Sequence, residues 1–165
     1  MEKNPLGNQK KLALIATKGT LDWAFPPFIL ASTAVTLGYD AQIFFTYYAL
    51  NLLKKKMNFK ISPLGNPRMP MPMGMDKWFP TLGTALPGME GMMTGMMKRK
   101  MKSKGVASVE ELRDLCIEAD VKLIACQMTV DLFDFKKDDL IDDIELGGAA
   151  TFFEFAGEAD VSLFV

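Results

Sequence analysis

The sequence contains no histidine and only two cysteines among its 165 residues. The absence of histidine excludes Ser-His-Asp and Cys-His catalysis, an imidazole general base and zinc sites with histidine ligands. The two thiols, Cys116 and Cys126, are too few for a four-thiolate zinc or iron–sulfur site within one chain. They do not form the pattern of a secreted disulfide framework. We therefore expect no resident metal ion and no cofactor.

Neither sign of charge is in excess, since the sequence has 19 basic and 20 acidic residues. This balance does not provide the basic surface that nucleic-acid-binding proteins use, so no nucleic-acid partner is expected. The longest apolar stretch, residues 25–37, is too short to span a bilayer. Residues 1–11 lack the apolar core of a signal peptide. We expect a cytoplasmic protein with a single domain over residues 1–165.

Four short apolar runs alternate with helix-like segments. The runs cover residues 11–17, 42–48, 121–128 and 161–165. Continuous apolar runs of this length are typical of strands buried on both faces, as in a parallel sheet covered by helices. A fifth strand is expected near residues 59–62. The order of these segments predicts a three-layer α/β/α fold with a mainly parallel sheet of about five strands.

Three segments between the runs carry helix signals. Residues 22–37 are followed by Gly38, at the position where a C-cap glycine is expected. Residues 108–120 open with Ser-Val-Glu-Glu, which is a capping box, and their apolar positions step by three and four residues. A short apolar helix is expected over residues 148–156.

Residues 63–104 form an insertion of unusual composition. It holds ten of the 13 methionines and six of the nine prolines. The prolines exclude regular structure up to Pro87. From Met89 onward the methionines are spaced as one stripe of a helix, with Thr94 among the residues on its other sides. We therefore expect an amphipathic helix over residues 89–101.

Four roles for this Met/Pro-rich insertion remain open from the sequence. The methionines can pack over the sheet or in an oligomer interface, because methionine fills irregular gaps. They can form a partner-binding groove or a lid over a thiol. Residues 89–101, with basic residues at their end, can lie on a membrane surface. The fourth role is copper(I) binding by the alternating thioethers of Met69, Met71, Met73 and Met75.

Cys126 lies near the carboxyl end of an expected strand, where open parallel sheets bind their ligands. Thr129 or Asp131 can cap a short helix whose free N–H groups and dipole favour a thiolate. Lys18, in the loop after the first strand, is expected at the same edge. Two interpretations of Cys126 stay open at this point, a reactive thiol and an inert core residue.

Cys116 lies on the apolar face of the preceding helix, which favours a packed core thiol. A disulfide with Cys126 is not expected. Helix and strand run antiparallel, and the two cysteines differ by about 10 Å along their axes. Disulfide-bonded residues have Cα atoms about 4.4–6.8 Å apart.

The segment LIACQMTVD, residues 123–131, resembles the signature of the DsrE/DsrF-like family, in which a strand ends in Ala-Cys-Gln-Met followed by Ser or Thr, one residue and Asp. The turn at residues 18–22, the Gly-Tyr-Asp step at residues 38–40, the Met-Pro-Met-Pro segment and the Gly-Gly pair at residues 147–148 resemble its single-cysteine DsrE branch, which is found with sulfur-oxidation genes. Cys116 has no counterpart in the signature.

The resemblance implies a parallel-sheet α/β fold, a homo-oligomer and a cysteine that carries sulfane sulfur as a persulfide or thiosulfonate. That cysteine is Cys126, and the residues expected to support its thiolate or adduct are Gln127, Thr129, Asp131 and Lys18. The expected function is a cytoplasmic sulfur carrier or sulfurtransferase, with sulfur-carrying proteins, low-molecular-weight thiols or polysulfide as partners. This role requires a sulfur atom that is accessible and anionic.

The alternative function is that of a non-enzymatic membrane-associated or scaffold protein. In that case the methionine helix over residues 89–101 is the working surface, and Cys126 carries no adduct.

Overall fold

The computed structural model describes residues 9–60 and 89–165. In this part of the chain five strands form one sheet in the order β4-β3-β2-β1-β5, and every neighbouring pair is parallel. The strands are β1 (Lys11–Ala16), β2 (Asp40–Phe45), β3 (Lys122–Cys126), β4 (Glu145–Gly147) and β5 (Val161–Phe164).

Five α-helices and two short 3₁₀ helices are present among the described residues. The α-helices are α1 (Leu21–Thr36), α2 (Met89–Ser103), α3 (Val109–Glu118), α4 (Gln127–Leu132) and α5 (Ala149–Ala156). The 3₁₀ helices cover Tyr47–Leu53 and Lys137–Asp139. None of the described helices is long and apolar enough to cross a membrane.

Helices cover both faces of the sheet, because successive strand residues point to opposite sides. Phe45 of β2 contacts Phe28 of α1, with ring centroids 5.8 Å apart. The preceding residue, Phe44, contacts Phe152 of α5 on the other face at 5.5 Å. The expected three-layer α/β/α fold with a parallel sheet is therefore confirmed.

The expected fifth strand is in a different place. Phe59 and Lys60 belong to no strand, and residues 61–62 lie outside the described residues. The remaining strand is β4, at Glu145–Gly147 on the edge of the sheet. It has only three residues, of which two are exposed, so it lacks the apolar run by which a buried strand is recognised.

Two of the apolar runs end as helices rather than as strands. The run over residues 42–48 leaves the sheet at Phe45, and Tyr47 begins a 3₁₀ helix with a positive φ of 49°. The run over residues 121–128 leaves the sheet at Cys126, and Gln127 begins α4. In both cases the apolar run extends beyond the strand because the helical turn that follows is also buried. Ala49 and Thr129 are the buried residues of these two turns.

Two glycines are required by the backbone near the loops. Gly38 has a φ of 85°, which is the left-handed conformation expected for the residue after α1. Gly19, in the loop after β1, has the Tyr48 carbonyl oxygen at the place where a Cβ atom would lie. The loop after β1 therefore packs directly on the 3₁₀ helix that follows β2.

The described residues divide into two compact units. One comprises residues 9–19, 23–57 and 109–165, and it contains the sheet. The other comprises residues 20–22, 58–60 and 89–108, and it contains α2. The segment that includes Pro63 to Pro87, expected to be irregular, lies outside the described residues.

The methionine helix expected over residues 89–101 corresponds to α2, which extends to Ser103. Met93 and Thr94 are buried, whereas Met92 and Met96 are exposed. At about 100° per residue, the methionines from 92 to 101 cover about half of the helix circumference. The methionines therefore lie on both buried and exposed sides of α2.

Adjacent residues of α5 provide a test of the packing on the second face. Phe152 is buried against Phe44, whereas Phe153 is 67% exposed. We expect Phe152→Ala to lower the free energy of unfolding by about 3–5 kcal/mol, because it leaves a cavity in the core. Phe153→Ala should change it by about 0.5 kcal/mol or less. Urea denaturation of both variants measures the difference, and equal losses would contradict the assigned packing.

Candidate functional site

Cys126 lies where three local elements meet. It is the last residue of β3, it pairs with Gly147 of β4, and it is the N-cap residue of α4. Its backbone is extended, with φ −64° and ψ 110°, so the chain turns directly from strand to helix. This arrangement points the first N–H groups of α4 toward the carboxyl end of β3.

A small hydrogen-bond network surrounds the Cys126 thiol. The hydroxyl oxygens of Thr46 and Thr129 are 3.1 Å apart, and the Tyr47 N–H donates to the Thr129 hydroxyl at 3.4 Å. Thr129 is fully buried, and Thr46 immediately follows β2. The network therefore connects the ends of two neighbouring parallel strands.

This network favours the thiolate form of Cys126. Burial by itself raises the pKa of the thiol, but hydrogen bonds from the Thr129 hydroxyl and N–H, the Thr46 hydroxyl and the Met128 N–H act in the opposite direction. Their combined effect exceeds that of burial, so the pKa of Cys126 lies below its ordinary value. The site achieves this without an imidazole.

The sulfur atom is less accessible than the sequence led us to expect. Cys126 is only 5% exposed and belongs to a core cluster that includes Phe44, Ile124 and Phe152. The expectation of an accessible sulfur atom is therefore wrong for the single chain, whereas the lowered pKa agrees with the expected anionic character. The carboxyl edge of the sheet, where α4 begins, is the edge at which Cys126 lies.

The structure brings one of the four expected supporting residues to the thiol, namely Thr129. Gln127 and Asp131 instead bond to each other, since the Gln127 Nε2 donates to the Asp131 Oδ1 at 2.7 Å on the exposed side of α4. The Lys18 ammonium lies over the Trp23 ring, 3.3 Å from its centroid. The described contacts of the other three expected residues are therefore not with the Cys126 thiol.

The sequence reasoning missed Thr46. The reason is that β2 was expected to continue to Tyr48, which left Thr46 in the middle of a strand. Its signal was nonetheless present, because Thr46 is a polar residue directly after the apolar residues 43–45, at the end of the strand that lies next in the sheet to the strand with Cys126. Parallel neighbours bring their carboxyl ends to the same edge, so such a residue lies beside the thiol.

Cys116 has a different environment. It is fully buried, its thiol donates to the Phe28 carbonyl at 3.4 Å, and burial raises the pKa of the Cys116 thiol to about 11. Phe28 covers the α1 face of the sheet, whereas Cys126 packs with Phe152 on the α5 face. Both cysteines are free, so the expectation that they form no disulfide is confirmed.

Neither a metal site nor a second ionised group is found beside the thiol in the described residues. No group of three or more cysteine, aspartate or glutamate side chains among residues 9–60 and 89–165 is placed to hold a metal ion. The local chemistry therefore consists of one thiol, two hydroxyls and the backbone N–H groups of α4.

Comparison with known proteins identifies the family of this chain. The model of the DsrE/DsrF/DrsH-like family matches residues 8–164. This chain belongs to that family. A DsrE/DsrF/DrsH-like chain from Allochromatium vinosum, named sulfur carrier protein DsrE2, is 73% identical over 157 residues, which cover 95% of this chain and 99% of that protein.

One further relative and one solved structure are less similar. The uncharacterized protein YrkE of Bacillus subtilis is 32% identical over 162 residues, covering 94% of this chain and 97% of its own. The crystal structure of the ychN protein from E. coli matches with a TM-score of 0.59 and 12% identity, covering 95% of this chain and 100% of that one. The structural match supports the fold alone.

Removal of the Thr129 hydroxyl tests its effect on the thiol. We expect Thr129→Val to raise the pKa of Cys126, because the thiolate loses a hydrogen bond. The thiolate fraction at neutral pH then falls, and alkylation by iodoacetamide slows several-fold. Mass spectrometry follows the rate of Cys126 alkylation at a series of pH values. The midpoint of this pH dependence measures the pKa of Cys126.

Thr129→Ser is the matched control, since it keeps a hydroxyl at the same position. Its midpoint should stay close to that of the parent chain. If the valine and serine variants both have the same midpoint as the parent chain, the Thr129 hydroxyl does not stabilise the thiolate.

Proposed function

We propose that this chain is a sulfur carrier that holds sulfane sulfur on Cys126 and passes it to an acceptor thiol. The observation that carries the proposal is the placement of Cys126 at the junction of β3 and α4, beside the Thr46 and Thr129 hydroxyls, where its pKa is lowered. The sulfur carrier protein of Allochromatium vinosum supports it, because 73% identity extends over nearly the full length of both chains.

The proposed chemistry requires no oxidant or reductant beyond the reactants. The Cys126 thiolate attacks a sulfur atom of a polysulfide, a new S–S bond forms on Cys126, and the S–S bond of the donor breaks to release a shorter anion. An acceptor thiolate then attacks the outer sulfur of the adduct. That S–S bond breaks in turn, and the Cys126 thiolate is restored.

The surroundings of Cys126 suit an anionic adduct. The hydroxyls of Thr46 and Thr129 and the N–H groups at the start of α4 donate to the sulfur. Burial in the cluster with Phe44 and Phe152 limits access by solvent-borne reductants. A moderately lowered pKa suits thiol exchange, because a thiolate that is too stable becomes a poorer nucleophile.

The setting and assembly are part of this proposal. We place the carrier in the cytoplasm, with sulfur-carrying proteins, low-molecular-weight thiols or polysulfide as its partners. We further propose a homo-oligomer, supported by the edge strand β5, on which Val161, Leu163 and Phe164 are exposed. An exposed edge strand offers unpaired N–H and C=O groups with which another chain can pair.

Replacement of the thiol tests the carrier role directly. Cys126→Ser should abolish the mass increments that polysulfide and tetrathionate produce, which correspond to one added sulfur atom and to a thiosulfonate. Cys116→Ser should load like the parent chain, because Cys116 is fully buried and its pKa is raised to about 11. Intact mass spectrometry reports both adducts, and loading of the Cys126→Ser variant would refute the proposal.

A second candidate role, contact of α2 with an anionic membrane surface, is supported by the exposed side of that helix. Met92 and Met96 are exposed, and so are all of the basic residues that follow, namely Lys98, Arg99, Lys100, Lys102 and Lys104. Exposed apolar side chains beside basic ones are typical of helices that lie on membrane surfaces.

Vesicle flotation tests this second role. The protein should float with vesicles of phosphatidylglycerol and phosphatidylcholine but not with phosphatidylcholine alone, because each basic residue contributes about 1 kcal/mol near an anionic surface. The double variant Lys100→Gln, Lys102→Gln should bind more weakly by roughly tenfold or more. Equal flotation of parent and variant, or no flotation of either, would exclude this role.

A further inference from the structure

A cleft with a volume of about 270 Å³ opens between the 3₁₀ helix Tyr47–Leu53 and the chain that follows α4. The described residues that line it are Tyr47, Tyr48, Asn51, Lys54, Phe133, Asp134, Phe135 and Asp139. Its walls are aromatic, since the rings of Tyr48 and Phe133 stack with centroids 5.6 Å apart. Phe135 meets Phe133 edge to face at 6.3 Å.

The cleft is connected to the Cys126 site by α4. Cys126 is the N-cap residue of that helix and Phe133 its C-cap residue, so the two lie about 10 Å apart along the axis. The exposed side of α4 between them is apolar at Met128 and Leu132, which are 64% and 60% exposed. A protein that reaches Cys126 from this edge therefore also lies over the cleft.

The charges of the cleft favour a cation. The described lining residues include two carboxylates, those of Asp134 and Asp139, and one ammonium group, that of Lys54. The Lys54 Nζ lies over the Phe135 ring, 4.7 Å from its centroid, so its position is fixed at one wall. The exposed rings of Tyr48 and Phe133 provide further faces of the kind that attract cations.

We propose that this cleft binds an arginine side chain of the protein that exchanges sulfur with Cys126. A planar guanidinium stacks on aromatic rings and pairs with carboxylates in two parallel hydrogen bonds, and the cleft offers both. In an extended segment, three residues span about 10 Å, so the arginine lies three residues from the reactive cysteine of the partner. This inference rests on the proposed carrier function and identifies the chemistry of its partner.

Short thiol peptides test the inference once the parent chain has been loaded with polysulfide. The probes are Cys-Gly-Gly-Arg and Arg-Gly-Gly-Cys with blocked ends, each compared with the peptide in which glutamine replaces arginine. Mass spectrometry measures the rate at which each peptide removes sulfur from Cys126. We expect at least one arginine peptide to react about fivefold faster than its glutamine counterpart at low ionic strength.

Variants of the cleft separate specific binding from general attraction. Asp134→Asn with Asp139→Asn should abolish the preference for arginine, as should Tyr48→Ala. Asparagine suits position 134, whose φ is 51°, so the backbone is retained. Asp138→Asn is the matched control, because Asp138 is exposed beside the cleft without lining it, and it should keep the preference.

The unfavourable results distinguish the arginine site from the carrier function. Equal rates for arginine and glutamine peptides in both orders would overturn the arginine site, as would a preference that survives loss of both carboxylates. If the parent chain takes up no sulfur from polysulfide at Cys126, the carrier function itself fails.

Discussion

The contact between the ends of β2 and β3 is the interaction on which the site depends. The hydroxyl oxygens of Thr46 and Thr129 lie 3.1 Å apart, and both side chains lower the pKa of Cys126. Parallel pairing makes this contact possible, because Phe45 and Ala125 are in register and the residues after them, Thr46 and Cys126, therefore come at the same edge of the sheet. A displacement of β3 by one residue would turn Cys126 to the opposite face.

Burial and ionisation act against each other at this thiol. The cluster with Phe44, Ile124 and Phe152 leaves little of Cys126 exposed and by itself favours the neutral form. The hydroxyl and N–H donors reverse that preference. At Cys116 burial prevails over a single backbone hydrogen bond from Ser32, and the pKa rises to about 11. The two cysteines of one chain thus differ both in burial and in the number of hydrogen-bond donors around the sulfur.

Much of the fold was predictable because burial on both faces leaves a plain signal in the sequence. The apolar runs correctly located β1, β2, β3 and β5, and Gly38 marked the end of α1. The edge strand β4 was not predictable from such a signal, because two of its three residues are exposed. The ends of β2 and β3 were placed too late, because packed helical turns continue the apolar runs beyond the strands.

The sequence by itself determined which atom carries the proposed chemistry and which catalytic classes are absent, because these follow from residue identity. Cys126 at the end of an apolar run and the lack of histidine required no coordinates. Only the tertiary structure decided which groups contact the sulfur. Thr46 is 80 positions away from Cys126 in the chain, and it reaches the thiol because parallel strands bring their carboxyl ends to one edge. Gln127 and Asp131 are near in sequence, yet the helix turns them toward each other.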